Sequence, residues 1–282
     1  MNLSTGSSRP IAAATPASGR PRTAVAAARD ETGAGSLAKG LAVLSLLSRT
    51  QGGLRLSDVA TELSFARATA RRALLQLCEL GYARQEGRLF YATPRVVALA
   101  VGQLGAHNPW EAAMPVLTAL SREIDESVSI GILDGTDVCY VARAATRKIL
   151  SISLSVGSRL PAAHTSMGRV LLAGLDEAGR ARVLSQCDLA PPTPHAAPNM
   201  AAILERIEAG ARAGYVIVDQ ELEHGLRSVA VPIRDAQGRV VAALNVGTSA
   251  ANHSTEALAE RFVPRLRRAA DEIGHIMSRA AA

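Results

Sequence analysis

A chain of 282 residues that is 48% hydrophobic and 20% charged can bury two ordinary cores, and neither a disordered nor a membrane-embedded protein has that composition. Its three cysteines, Cys78, Cys139 and Cys187, form no CxxC pair, which argues against a disulfide framework or zinc site and fits a reducing cytoplasm. The net charge of +6 is lopsided: residues 36–95 carry nine Lys and Arg against four acids, residues 1–35 four against two, and the remainder 18 against 19. One stretch of sixty residues is therefore the part suited to a polyanion. No apolar run approaches the roughly 18 residues of a membrane helix, and the N-terminus lacks the basic start and apolar block of a secretory signal. Residues 1–35, rich in Ala, Ser, Pro, Gly and Thr, read as a disordered tail.

"SLAKGLAVLSLLS" (36–48) sets Leu37, Leu41, Leu44 and Leu47 at helical spacing behind Ser36 as N-cap. "TQGGLR" (50–55) is a turn. "LSDVATELS" (56–64) reads as a short helix capped by Ser57, with Asp58 in its first turn and Val59, Ala60 and Leu63 inward. "ARATARRALLQLCELGY" (66–82) predicts a helix over 66–80 with Ala70, Leu74, Leu77 and Leu80 as its buried stripe and Ala73 beside it. Leu75 is left exposed. "ARQEGRLFYAT" (83–93) alternates about Glu86-Gly87 as a short hairpin.

Helix, helix, tight turn, helix and hairpin within residues 36–93 is the order of a winged helix-turn-helix, and it coincides with the basic stretch. The third helix of such a module enters a DNA major groove. Arg67, Arg71 and Arg72 would then reach phosphates or guanine edges, and Thr69 a phosphate or a thymine methyl. Arg84 and Arg88 on the hairpin would meet the flanking backbone or the minor groove.

Residues 94–112 read as a helical linker, broken at "GAHNP", with Pro109 and Trp110 opening the helix that resumes and Pro115 early within it. A second domain, 113–282, follows. "SVSIGILDG" and "TDVCYVARAA" alternate about Asp134-Gly135 as a hairpin, and "KILSISLSVGSRLP" (148–161) reads as a third strand ending in a Gly/Pro loop. Helices are expected at "HTSMGRVLLAGL", with Thr165 or Ser166 as cap, at "DEAGRARVLSQC", at "MAAILERIEAGARAG" and from Ser254 to the C-terminus. "YVIVDQE", "RSVAVPIRD" and "RVVAALNVGT" are strands. Hairpin-paired strands with helices set apart argue an α+β fold with a mainly antiparallel sheet.

"SLAKGLAVLSLL", "LSDVATELSFARATARRALLQLCELGY" and "GRLFYATPRVVALA" are similar to the DNA-binding half of IclR-type bacterial transcriptional regulators, and "VGSRLPAAHTSMGRVLLA" with "GYVIVDQELEHGLRSVAVPIRDAQGRVVAALNVGTS" resembles their effector domain. "RKILSISLSVGSRLPAAHTSMGRVLLA" and "DQELEHGLRSVAVPIRD" most resemble the branch governing protocatechuate, 4-hydroxybenzoate and β-ketoadipate catabolism. Two positions depart from the usual pattern: Ala66 stands where serine commonly opens the recognition helix, and Ser64-Phe65 where Gly-Leu is usual. Ser64 is expected to supply the missing cap one turn earlier. The resemblance implies an effector pocket near Ile149, Ile152, Ser166, Met167, Asp219, Ser228 and Asn245 to Gly247. Independently, Thr165-Ser166 opening a helix offers hydroxyls and a helix N-terminus to a small carboxylate. Arg143, Arg159 and His164 are candidate cations for it, each with a surface ion pair or ordinary capping as the competing role.

No enzyme constellation competes. The six histidines, His107, His164, His195, His224, His253 and His275, include no HxxxH pair, and GxSxG, GxxxxGK[ST] and GxGxxG are absent, so no cofactor, metal or catalytic residue is called for. "DQELEH" (219–224) groups three acids and a histidine, which fits a solvated loop, or a ligand-binding Asp219, better than a metal site. The alternatives to a regulator are a non-specific architectural DNA protein and an enzyme with an appended DNA-binding domain. The expectation is a cytoplasmic, ligand-gated homodimer or homotetramer on an inverted-repeat operator in double-stranded DNA. A small aromatic or aliphatic carboxylic acid would shift conformers that differ in operator affinity or RNA polymerase contact, with no membrane partner.

Overall fold

The computed structural model describes residues 34–50, 52–96, 109–146 and 154–280, so the expected tail up to residue 33, most of the linker, and Ile149 and Ile152 lie outside the described residues. The chain divides into two compact units, Met1–Ala98 and Leu99–Ala282.

In the first unit α1 (Ala34–Arg49), β1 (Leu54–Arg55), α2 (Leu56–Glu62), α3 (Arg67–Glu79), β2 (Ala83–Glu86) and β3 (Leu89–Ala92) follow one another. Val43, Leu44, Leu47, Val59, Ala70, Leu74, Leu77 and Phe90 form its core. The β2–β3 hairpin turns at Gly87-Arg88, one residue later than expected, because Glu86 pairs with Leu89. The turn expected over 50–55 ends in strand: Leu54 and Arg55 pair with Phe90 and Leu89, making a three-stranded sheet ordered β1-β3-β2.

Several local expectations are corrected. Helix α1 already runs at Ala34, so Ser36 lies inside it rather than capping it. Leu37 (67% exposed) and Leu41 (54%) are not inward, because the buried stripe centres on Val43 and Leu47, about two-fifths of a turn round the helix from Leu41. Leu80 is exposed as well, since α3 has ended and the chain turns at Gly81. Ser57 does not cap α2; the Asp58 carboxylate reaches back to accept from the Arg55 backbone N–H at 3.0 Å.

The second unit opens with α4 (Pro109–Ile124), in which the junction expected at 112/113 falls. Then come β4 (Ser127–Asp134), β5 (Asp137–Ala144), β6 (Arg159–Pro161), a 3-10 turn (Ala162–His164), α5 (Ser166–Ala173), α6 (Glu177–Leu184) and α7 (Met200–Ala213). β7 (Val216–Asp219), β8 (Leu226–Arg234) and β9 (Val240–Ser249) precede the last helix, which starts at Thr255–Ala257, passes a π turn (Leu258–Phe262) and continues as α8 (Val263–Ala280). The third strand is confined to Arg159–Pro161 among the described residues, after Gly157 rather than before it.

The sheet order is β6-β5-β4-β9-β8-β7 with every pairing antiparallel. Side-chain alternation divides it into two buried faces. Val128, Ile130, Val229, Val231, Leu244 and Val246 pack on α4 and α8, whereas Val138, Tyr140, Val216, Val218, Ala230 and Ala243 pack on α5 and α7. This is the expected α+β architecture, with helices covering both faces. On β5 the alternation breaks: Ile130 pairs with Ala142 but Gly131 with Tyr140, leaving Val141 as an extra residue. The bulge puts Tyr140 and Arg143, three apart, on the same face.

Candidate nucleic-acid interface and ligand pocket

The tight turn before α3 is set by how α2 ends. Ser64 takes the left-handed conformation (φ 54°), its N–H donates to the Thr61 carbonyl at 3.2 Å, and Phe65 N–H donates to the Ala60 carbonyl at 2.9 Å. This is a Schellman ending with serine where glycine costs least. Ser64 is therefore spent as the terminator of α2 and does not cap α3, contrary to expectation. Ala66 stands at the α3 N-cap with no side-chain hydrogen bond.

From that start α3 buries Ala70, Ala73, Leu74 and Leu77 and exposes Arg67, Arg71 and Arg72. Thr69, half-buried, shares with Arg72, Ala73 and Gln76 a polar notch closed by Ser36 and Lys39 of α1, about 510 Å³ including the part open to solvent. On the hairpin, Arg88 is exposed at the turn, and Arg84 pairs with Glu86 while its guanidinium lies 4.5 Å from the Tyr91 ring centre. Exposed guanidiniums on successive helical turns, flanked by a basic hairpin, match the chemistry of phosphate and guanine contact.

In the second unit a cavity of about 590 Å³, open part included, lies between the pocket face of the sheet and the start of α5. Of the expected residues, Arg143, His164, Ser166, Met167, Ser228, Asn245 and Gly247 line it. The ladder explains the grouping: Ser129 on β4 faces Arg143 on one side and Asn245 on the other, while Gly247 faces Ser228. Arg143 Nη1 donates to Ser129 Oγ at 3.0 Å, and burial holds its pKa below the usual arginine value. Thr165 caps α5, its Oγ accepting from Gly168 N–H at 3.1 Å, and this sets Ser166 at the cavity, where it accepts from Ser228 Oγ at 2.9 Å. Two glycines permit the close packing. A Cβ on Gly168 would meet the Ala162 carbonyl oxygen at 2.1 Å, and one on Gly131 would meet Val138 at 2.5 Å and Met167 sulfur at 2.9 Å.

Other expected residues lie elsewhere. Arg159 is on the surface, bound to the carboxylates of Asp134 and Asp137 and to the Asp134 carbonyl. Asp219 accepts from Arg227 Nε at 2.7 Å and Nη2 at 2.9 Å, which holds its pKa below the usual carboxylate range, and its neighbour Val218 lines the cavity instead. His164, expected as a cation, is 1% exposed, and burial together with the Arg169 charge lowers its pKa, so it is neutral at pH 7.

The cavity wall over residues 220–226 is pinned by a buried ion pair. Arg169 on α5, 1% exposed, donates Nη1 and Nη2 to the Glu221 carboxylate at 2.8 and 2.7 Å, and Nε to the Ala163 carbonyl at 2.9 Å. Arg206 also contacts Glu221, and Thr193 Oγ1 donates to the Gln220 and Glu221 carbonyls. Glu221 of "DQELEH" is thus structural, and among the described residues no cluster of three or more His, Cys, Asp or Glu could hold a metal.

Residues 36–87 match the IclR helix-turn-helix domain, and residues 102–275 match the family described as bacterial transcriptional regulator IclR C-terminal. The chain belongs to the IclR family. It is accordingly a ligand-responsive DNA-binding transcriptional regulator and not an enzyme. The Pca regulon regulatory protein of Pseudomonas putida is 38% identical over 85% of this chain and 83% of its own length. A transcriptional regulator of Rhodococcus sp. RHA1 superposes with a TM-score of 0.73 at 42% identity, covering 86% of this chain and 98% of that one. An IclR homologue from Microbacterium hydrocarbonoxydans, crystallised with 4-hydroxybenzoate, gives the same TM-score and coverage at 25% identity.

In this IclR protein the sequence did not point to Tyr140, Leu154, Leu160, Leu222 or Leu226 as cavity residues. Tyr140 was hidden by the bulge, since residues 140 and 143 fall on opposite faces of a regular strand. Burial pushes the Tyr140 hydroxyl up to about 12. The leucines carry no mark in the sequence that separates cavity wall from core.

Proposed function

We propose that this IclR-family protein is a cytoplasmic homodimer or homotetramer that holds an inverted-repeat operator through α3 and the β2–β3 hairpin. A small carboxylic acid, aromatic or aliphatic, changes that grip when it enters the cavity beside Arg143, and so controls a catabolic operon through operator affinity or RNA polymerase contact. DNA contact is assigned to Arg67, Thr69, Arg71, Arg72 and Arg88, with Arg84 supporting the hairpin through Tyr91. The observation that carries the ligand reading is Arg143. It is a half-buried cation with a neutral partner, Ser129, on the sheet side of a cavity to which the start of α5 adds Ser166 and β8 adds Ser228. A partly desolvated guanidinium without a carboxylate beside it is a receptor for one. The 4-hydroxybenzoate of the Microbacterium homologue and the Pca function of the Pseudomonas relative support an aromatic acid or its ring-cleavage product. Domain limits of 36–93 for the DNA-binding module and 113–282 for the effector module are proposed on the same grounds, with α4 reaching back to Pro109.

The test is thermal-shift screening of the full chain against aromatic and dicarboxylic acids, followed by operator binding with and without the acid that stabilises. A selective acid that alters affinity for one short palindromic site supports the reading. Salt-sensitive coating of any DNA, indifferent to every acid, would overturn it.

A further inference from the structure

Most polar groups that line the cavity are answered by a neighbour: Ser228 by Ser166, Arg143 by Ser129, Thr165 by the Gly168 N–H and the Pro161 carbonyl. Among the described residues, His164 is the one whose side-chain polar atoms are fully buried without a partner. It is 1% exposed, and neither Nδ1 nor Nε2 makes a hydrogen bond among the described residues. The Asp188 main chain is near enough to favour the protonated ring slightly but forms no well-aligned bond with it. Buried polar atoms in native proteins are almost always paired, so an unpaired imidazole lining a ligand cavity marks a place where the ligand supplies the partner.

We infer that His164 selects the effector by an uncharged oxygen, a hydroxyl or a ketone, that the acid carries in addition to the carboxylate held at Arg143. The inference rests on the carboxylate reading of the cavity. Position separates the two contacts: Arg143 stands on β5 in the sheet floor, and His164 ends the 3-10 turn that leads into α5. The ring is held in place, because the close approach of Gly168 to Ala162 fixes the turn that carries it. A neutral imidazole offers one donor and one acceptor, which suits a hydroxyl fully and a ketone through the donor. A second carboxylate would fare worse there. Glu221 is close enough to act on the ring, and the nearby Arg169 is already committed to Glu221 in a bidentate pair.

Calorimetry on the full chain tests this with pairs of acids that differ by one oxygen function: benzoate against 3- and 4-hydroxybenzoate, and adipate against 3-oxoadipate. Wild type is expected to bind the oxygenated member of at least one pair about tenfold to a hundredfold more tightly. His164→Phe should collapse that ratio to within about threefold, and His164→Gln, which keeps a donor and an acceptor, should restore part of it. Wild type that discriminates no pair, or His164→Phe that keeps the ratio, overturns the inference. If plain and oxygenated acids bind equally and both act on the operator, this inference alone falls; if no acid binds, the carboxylate reading falls with it. Should His164→Phe not fold, the ring 15N shifts of histidine-labelled wild type decide, the His164 signals being those lost in His164→Gln. A shift on saturation with the tightest acid is expected. Unchanged shifts overturn the inference.

Discussion

Replacing Glu221 by glutamine removes one charge from a pair that is almost fully out of water, with side chains 1% and 7% exposed. The amide keeps at most one acceptor for Arg169, so a guanidinium built to give two parallel bonds is left charged, buried and half-paired. Breaking one side of such a pair costs about 3–5 kcal/mol; the retained Ala163 carbonyl contact and the single amide bond place Glu221→Gln near 3 kcal/mol. For a domain of this size that corresponds to a fall in Tm of roughly 6–12 °C. The assay is urea or thermal unfolding of the full chain, followed through the effector-domain transition. Replacing both partners at once, Arg169→Met with Glu221→Leu, removes the orphaned charge and should recover most of the loss, because buried pairs exchanged for packed apolar groups are often neutral. The double variant should nevertheless bind ligand more weakly, since the 220–226 wall loses its anchor while Leu222 and Leu226 still have to close the cavity. A single variant that costs under about 1 kcal/mol, or a double variant no better than the single, would refute the reasoning.

Three further outcomes are expected. Ser64→Gly relieves a left-handed serine and Ala66→Ser restores a hydroxyl cap; together they should gain roughly 1–2 kcal/mol in α2–α3, read as slower amide exchange there, and no gain would mean that Ser64 and Ala66 carry no such strain. Arg71→Ala should weaken operator binding by roughly 1–3 kcal/mol and lower the salt slope by about one while acid affinity stays unchanged; parallel loss of acid affinity would contradict the separation of sites. The pKa of His164 is lowered in the folded state, so the unfolded chain takes up the proton first and stability is lost as pH falls through about 6.5. The Tm advantage of wild type over His164→Gln should therefore shrink from pH 7 to pH 5, and an advantage that widens on acidification would mean a charged ring.

Much of the fold was legible because its signals are local. The two-residue hairpin turns, the Thr165 cap and the Val-x-Val alternation of β8 are each written within a few residues. What escaped depended on contacts distant in sequence. Leu37 and Leu41 share helical spacing with Leu44 and Leu47, yet only the placement of α3 and β3 decides which of them is covered. Ser57 looked like a cap because hydroxyls usually are, but the Asp58 side chain reached the Arg55 N–H instead. At the pocket, the small and hydroxylic residues were found through family resemblance. The charges could not be sorted that way: the resemblance named Asp219, yet tertiary pairing spends Arg159 and Asp219 on Asp134, Asp137 and Arg227 and leaves Arg143 at the cavity.

The extra residue at Val141 decides what a change of length or register does to β5. At the Gly135-Thr136 turn an added residue would lengthen a surface loop and leave both faces of the ladder in phase. Between Tyr140 and Arg143, losing one residue would remove the bulge and leave the two side chains two apart, on one face of a regular strand; pairing the present residues without the bulge would instead turn Arg143 into the apolar layer under α4 and α8. A single deleted codon there would keep the cation at the pocket, whereas a register slip that flattens the bulge would remove it from the pocket and bury it unpaired in the core. A version of this segment one residue shorter would therefore present the same arginine from a regular strand.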